Sequence, residues 1–328
     1  MTTAVVSSIN LYYNISGYRL DKEKQILHAN YSTNKDYVIM FAGKGGVGKT
    51  TCAGATALHY ASLGEATLVI STDPTPSLSH IFNVKDKQKP TKVLEGLYLA
   101  ELGIEEVKEM WDRKFGKEVY EVFSSLVSIN YEEFADFVAS ILPGIRDEFM
   151  IDYIRELSQE RKYKRIVWDT APLGQTLHLL KTPAMLREHL KPAPRIYSKL
   201  KLGKETKRPV LDIIKGWEIL SGVAMDFLRY GVKFVMVTIP EALAIDQLDS
   251  IFDEFDKYGL KAEQLVINNV IKEIAGSTFL QTKAEQQRGY IDLLRQKYQG
   301  IPMVELPLFP HEIKGIDSLK DIERSLFK

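Results

Sequence analysis

At 328 residues, 45% hydrophobic and with 43 basic against 43 acidic side chains, the chain can bury one large core or two small ones, and no net charge draws it to nucleic acid or an anionic bilayer. No apolar run reaches membrane-spanning length, and Met1-Thr2-Thr3-Ala4-Val5-Val6 lacks the charged and apolar regions of a signal peptide. A lone cysteine, Cys52, excludes an intrachain disulfide and makes the cytoplasm the expected compartment.

Residues 1–36 read as an N-terminal extension, a surface segment expected to pack on a sheet edge. Ile9 to Tyr13 has the composition of a strand, Ser16-Gly17 that of a turn, and Asp21 to Asp36 is polar. Asn14-Ile15-Ser16 matches a glycosylation acceptor that a cytoplasmic chain would not use. Tyr37-Val38-Ile39-Met40-Phe41 is short, apolar and partly β-branched, a buried strand. The turn Gly43-Lys44-Gly45-Gly46-Val47-Gly48-Lys49-Thr50 follows, and a small-residue helix is predicted from Thr51 to about Leu63. That strand, loop and helix form a phosphate cradle. Glycines let successive N–H groups turn toward phosphate oxygens, and the helix N-terminus adds partial positive charge. Lys49 is expected on the β- and γ-phosphates of ATP and the Thr50 hydroxyl on Mg²⁺.

The stretch Gly43 to Thr51 resembles the deviant phosphate loop of the dimeric NTPases that include arsenite-pump ATPases, tail-anchored-protein targeting ATPases, nitrogenase iron proteins and partition ATPases. The resemblance implies a homodimer in which Lys44 reaches the partner's nucleotide in the role of an arginine finger. Cys52, beside this site, reads either as a thiol activated by the helix N-terminus or as a buried inert one.

The next strand, Ala66 to Ile70, leads into Ser71-Thr72-Asp73-Pro74. An acid at the carboxyl end of a parallel strand lies where such sheets bind ligands, so Asp73 is a candidate for polarising water or for the Mg²⁺ shell; the plain alternative is a helix cap. The stretch to Ser79 resembles the first switch of the arsenite-pump and tail-anchor ATPases, with Pro74 in place but Thr75-Pro76-Ser77 and His80 departing from the family pattern. Gly96 to Leu102 is predicted as a third strand. From about 104 to 160 the spacing is helical, with Phe134, Phe137, Val138, Ile141 and Leu142, then Phe149, Tyr153, Ile154 and Leu157, and Pro143-Gly144 separating two helices.

Tyr163 to Asp169 is another buried strand ending in an acid. Thr170-Ala171-Pro172-Leu173-Gly174-Gln175-Thr176 resembles the second switch of the same family. The resemblance implies that Asp169 holds Mg²⁺, directly or through water, and that Pro172 and Gly174 belong to a moving segment whose backbone can meet the γ-phosphate. A second helical region spans 182–230, with a basic run from Lys191 to Arg208. Both helical regions sit where the family inserts client-binding helices; their apolar stripes read either as core or as an exposed groove. Lys233 to Ala242 is a strand and turn that resembles the family's strand before a long surface helix, here Leu243 to about Tyr258, and the resemblance implies that Glu241 lies near the nucleotide. Leu265 to Asn269 is a strand; by resemblance Asn268 reads adenine, and Pro310, in the stretch Leu306 to Gly315, flanks the base. Between Ile271 and Tyr290 there is no Cys-x-x-Cys, so no zinc is expected.

The expected architecture is α/β, a doubly wound, mostly parallel sheet of P-loop NTPase type over residues 37–328, with a helical subdomain from about 104–160 and 182–230. The resemblance implies an ATP-hydrolysing homodimeric targeting factor that holds hydrophobic tail-anchor segments of client proteins, with transient membrane or receptor contact and no nucleic acid partner. Two alternatives stay open: the energising ATPase of an anion or metalloid pump, opposed by the single cysteine, and a nucleotide-gated partner switch with little turnover.

Overall fold

The computed structural model describes residues 37–73, 77–84, 90–102, 143–170, 210–272 and 276–328, with isolated positions between 109 and 192. Its frame is an eight-stranded sheet. In chain order the strands are β1 (Val38–Ala42), β2 (Thr67–Ser71), β3 (Thr91–Leu94), β4 (Leu97–Glu101), β5 (Arg165–Asp169), β6 (Val232–Thr238), β7 (Ala262–Val270) and β8 (Met303–Pro307). The helices are α1 (Lys49–Ser62), α2 (Leu78–Phe82), α3 (Pro143–Glu160), α4 (Val210–Tyr230), α5 (Ala242–Tyr258), α6 (Thr278–Lys297) and α7 (Ile316–Leu326). The spatial order is β3-β4-β2-β5-β1-β6-β7-β8, and every neighbouring pair is parallel except β3 with β4. The fold is thus the α/β P-loop NTPase arrangement expected from the strand and loop pattern.

Alternation along each strand divides the core in two. Val38, Met40, Leu68, Ile70, Ile166, Trp168, Phe234 and Met236 face one side, covered by α3, α4, α5 and α6. Ile39, Phe41, Val69, Val167, Val235 and Val237 face the other, under α1, α2 and α7. The first side is bulky; Trp168, Phe227, Phe234 and Phe255 are fully buried there. The second is thin, because α1 presents Cys52, Ala53, Ala55 and Ala57. A large aliphatic or aromatic side chain so buried contributes roughly 1.5–3 kcal/mol, so the strands need no favourable ends of their own to form.

Several boundaries differ from the sequence-based expectation. Helix α1 starts at Lys49 rather than Thr51, since the loop's last two residues already have helical geometry. Strand β7 begins at Ala262, three residues early, because its outer part pairs with β6 although it is only half-buried. The short antiparallel β3, the polar α6 and the C-terminal β8 and α7 are additional elements. Pro143 opens α3, and the helix expected before it lies outside the described residues. Part of the apolar stripe of each helical region is core. Met150, Ile151, Ile154 and Leu157 of α3 and Ala224, Met225, Phe227 and Leu228 of α4 pack on the sheet. The N-terminal extension and, apart from isolated positions such as Lys191, the basic run and the rest of the helical regions lie outside the described residues. Among the described residues no helix is long and apolar enough to cross a membrane.

Candidate functional site

Strand β1 lies at the switch point of the sheet, with β5 on one side and β6 on the other. Its register sets Phe41 beside Asp169 of β5 and Ala42 beside Met236 of β6. The chain must leave this crowded centre in one residue. At Gly43, φ is +153°, and a Cβ there would lie 2.1 Å from the Val237 carbonyl oxygen, so no side chain fits. At the other end of the loop Gly48 caps α1 with φ +98°, and a Cβ would stand 2.3 Å from Nδ2 of Asn268. Between them Gly45 and Gly46 are exposed, Val47 is buried in the thin core, and Lys44 is half-exposed. The loop thus has a buried root and an open crest lined by backbone, the form that receives an oligophosphate.

Lys49, 6% exposed, opens α1 and donates from Nζ to the Lys44 carbonyl oxygen at 2.9 Å. Burial lowers its pKa, and the nearby charges of Asp169 and Asp73 work against that shift. Thr50 and Thr51, half-buried in the first turn of α1, complete the loop.

Asp169 ends β5 and is completely buried. Its Oδ2 accepts from the Ser71 hydroxyl at 3.1 Å. Its Oδ1 is buried with no hydrogen-bond partner among the described residues. Burial pushes its pKa up to about 7; hydrogen bonds from Thr50 and Ser71 and the Lys49 charge oppose the rise, and Asp73 adds to it. A buried carboxyl with one unpartnered oxygen, whose group also feels the Thr50 hydroxyl and the Lys49 charge, fits a divalent cation. Mg²⁺ takes one or two protein oxygens, with phosphate and water filling the remaining positions. Asp169 and Thr50 suffice for that, and among the described residues no cluster of three or more His, Cys, Asp or Glu offers a cage.

Asp73 is the matching acid beyond the end of β2, two residues past Ser71, and it is half-exposed. Its backbone N–H donates to the Ser71 hydroxyl at 3.2 Å. Ser71 therefore touches both acids. Thr72 ties the same two strand ends together: its N–H donates to the Asp169 carbonyl at 3.1 Å, and its hydroxyl accepts from the Trp168 indole at 3.1 Å. Thr170, just past Asp169, donates to the Phe41 carbonyl at 2.6 Å. Farther out, buried Glu101 at the end of β4 accepts the Ser79 N–H of α2 at 3.0 Å. None of these links was assigned a role from the sequence. The signal for them is small polar residues, Ser71, Thr72 and Thr170, at the carboxyl ends of apolar strands.

Asn268 of β7 donates from Nδ2 to the Val47 carbonyl at 2.8 Å, so it braces the phosphate loop. One amide proton is engaged there; its other proton and Oδ1 are the groups a base could meet. Glu241 is exposed in the turn after β6 and opens α5 through its backbone carbonyl, which accepts the Ile245 N–H. Pro310 is exposed in the segment after β8, which is tied down where Leu308 N–H donates to Val270 O and Gly315 N–H to Ile81 O. The structure therefore brings Gly43 to Thr51, Asp73, Asp169 and Asn268 to one sheet edge. Pro74, Pro172 and Gly174 lie outside the described residues. Of the two readings of Cys52 the buried one holds, since burial first and the Asp169 charge second push its pKa up to about 12.

Comparison with known proteins agrees with this geometry. The sequence profile of the family described as anion-transporting ATPase matches residues 36–328. A protein provisionally named arsenical pump-driving ATPase 2 from Aquifex aeolicus is 30% identical over 299 residues, covering 88% of this chain and 98% of that protein. ATPase GET3A of Arabidopsis thaliana is 29% identical over 300 residues, with 86% and 81% covered. The ATPase ASNA1 homolog of Dictyostelium discoideum is 25% identical over 303 residues, with 88% and 89% covered.

Proposed function

The chain belongs to the anion-transporting ATPase family and is an ATPase, and from that premise we propose that it works as a homodimeric targeting factor holding hydrophobic segments of client proteins under nucleotide control. The loop N–H groups and Lys49 bind the β- and γ-phosphates of ATP. Asp169 and Thr50 hold Mg²⁺, which supplies neutralisation of phosphate charge. Asp73, with a half-exposed side chain beside the cradle, orients the attacking water. Lys44, half-exposed on the loop, reaches the nucleotide of the second subunit. Asn268 reads adenine from its place against Val47, with Glu241 and Pro310 nearer the rim. Pro74, Pro172 and Gly174 belong to the segments that respond to the γ-phosphate.

The observation that carries the targeting reading is the rooting of α3 and α4. Trp168, next to Asp169, shares one core cluster with Ile151 and Ile154 of α3 and Phe227 of α4. A rearrangement at the end of β5 therefore bears on the two helices that lead out of the helical regions. ATP closure aligns those regions into an apolar surface in the cytoplasm, and hydrolysis releases the client, at a membrane receptor in the full cycle. The relatives named GET3A and ASNA1 support the same assignment.

The test is capture of a purified tail-anchor segment, with complex mass read by light scattering. Capture by a dimer in ATP·Mg²⁺, weaker in ADP and lost in Lys44→Ala, is expected. A dimer that closes on ATP without holding the segment would sink the targeting role. A second reading, the driving subunit of an anion pump, is favoured by the name of the Aquifex aeolicus relative. The sole cysteine works against a thiolate-based metalloid site, because Cys52 is buried and its pKa is raised to about 12. Stimulation of hydrolysis by arsenite in a Cys52→Ser variant would revive the pump.

A further inference from the structure

We infer that Ser71 is a positioning residue for hydrolysis, coupling the acid of the metal site to the acid that orients water. The inference rests on the proposed roles of Asp169 and Asp73. Ser71 is the last residue of β2, 1% exposed, and its register partners are Asp169 on β5 and Glu101 on β4. Its hydroxyl has one proton to give and lone pairs to receive. The proton goes to Asp169 Oδ2 at 3.1 Å, and the oxygen receives the Asp73 N–H at 3.2 Å.

That arrangement is directional. The hydroxyl can donate to Asp169 only while Oδ2 is an acceptor, and with its proton committed there its oxygen presents a lone pair to Asp73. A carboxylate at Asp169 thus orients the hydroxyl so that the backbone of Asp73 is drawn onto the sheet edge. The Ser71 hydroxyl is thus a single group that links Oδ2 of Asp169 to the Asp73 backbone. The Ser71 carbonyl is engaged separately, accepting the Leu102 N–H at 3.0 Å, so the strand end is fixed independently of the hydroxyl. Removing the hydroxyl therefore loosens Asp73 against Asp169 without releasing β2. Loss of one such bond corresponds to about a tenfold rate effect when it acts only in the transition state.

The experiment is a double-mutant cycle on the full chain, pairing Ser71→Ala with Asp73→Asn, read by single-turnover ATP hydrolysis and equilibrium ATP binding. Ser71→Ala is expected to lower kcat about tenfold and leave KM within about twofold. Ser71→Thr, which keeps the hydroxyl, is expected to recover most of the loss. In the Asp73→Asn background the Ser71→Ala effect is expected to shrink to less than about twofold, because there is no longer a placed carboxylate to misplace. Ser71→Cys keeps the volume with a weaker hydrogen-bonding group and should behave as Ser71→Ala. If Ser71→Ala leaves kcat intact, or if the two effects multiply, the coupling is wrong. Loss of folding in both Ser71→Ala and Ser71→Cys would also overturn it, in favour of a structural role alone. Failure of the underlying reading is separately visible, since Asp73→Asn would then hydrolyse ATP like the parent protein.

Discussion

The carboxyl ends of β2 and β5 look alike in sequence and differ in physics. Each is a run of buried residues leading into an acid. Asp169 stands inside β5 as its last residue, and β1 and β2 flank it. It has no exposed surface, an Oδ1 without a partner among the described residues, and a pKa raised to about 7. Asp73 stands two residues beyond β2, half-exposed, with its N–H on Ser71. An acid that ends a strand is trapped by its neighbours and suits a fixed cation. One placed just past the strand is half-exposed and within reach of water. The carboxyl ends of the neighbouring strands β2 and β5 thus supply a buried and a half-exposed carboxylate.

The largest expected effect comes from deleting the buried one. Asp169→Ala should lower Mg²⁺-dependent ATP hydrolysis more than about a thousandfold and abolish the stabilisation that ATP·Mg²⁺ gives in a thermal melt. A variant that still hydrolyses ATP at a tenth of the parent rate would erase the distinction between the two acids. Asp73→Asn should lower kcat about a hundredfold while KM for ATP changes less than about threefold, because in its proposed role the group acts on water rather than on phosphate. A matching rise in KM would move Asp73 into the binding set.

Stability against pH sharpens the same contrast. The folded-state pKa of Asp169 lies above the unfolded value of about 3.9, so the folded protein holds that proton more tightly. Its contribution to stability is full below the unfolded value and is lost as pH rises toward and through about 7. Nucleotide-free Asp169→Asn should therefore melt about 3–6 °C higher than the parent at pH 8, with a smaller gain near pH 5. An equal gain at both pH values would show that Asp169 does not titrate in this range. The smallest effect belongs to the tie between the strand ends. Thr72→Val leaves the buried Trp168 indole N–H without its acceptor, costing about 1–3 kcal/mol, and should lower Tm by a few degrees with turnover within about threefold.

Much of this frame was legible before any coordinates. Strand β1 and the centres of β5 (Ile166 to Trp168) and β6 (Phe234 to Val237) are apolar runs because they are covered on both faces, and the glycines of 43–48 mark the loop between strand and helix. What escaped was hidden for identifiable reasons. Strand β3 is four residues with a lysine, joined to β4 by Glu95-Gly96, and its residues are half-buried or exposed, so it carries no strong pattern. Helix α6 buries only Ala284, Ile291 and Leu294, a stripe too narrow to stand out in a polar segment. Strand β8 ends in Pro307, which reads as loop and is tolerated because β8 is a sheet edge. Helix α7 was readable, since Leu319, Ile322 and Leu326 repeat at helical spacing. At the site, residue types announced the phosphate loop and both acids, but pairings across the sheet did not follow from spacing. The Asn268 amide on Val47 joins residues 221 positions apart, and the Ser71 hydroxyl on Asp169 spans 98.

The central claim is that the two acids divide the work, Asp169 holding the metal and Asp73 acting on water. Its most direct test is the Mg²⁺ dependence of ATP binding at equilibrium, compared between the parent protein, Asp73→Asn and Asp169→Asn. The account predicts an unchanged half-saturating Mg²⁺ concentration for Asp73→Asn and a rise of more than about tenfold for Asp169→Asn. Equal shifts in the two variants, or a shift in Asp73→Asn alone, would contradict it.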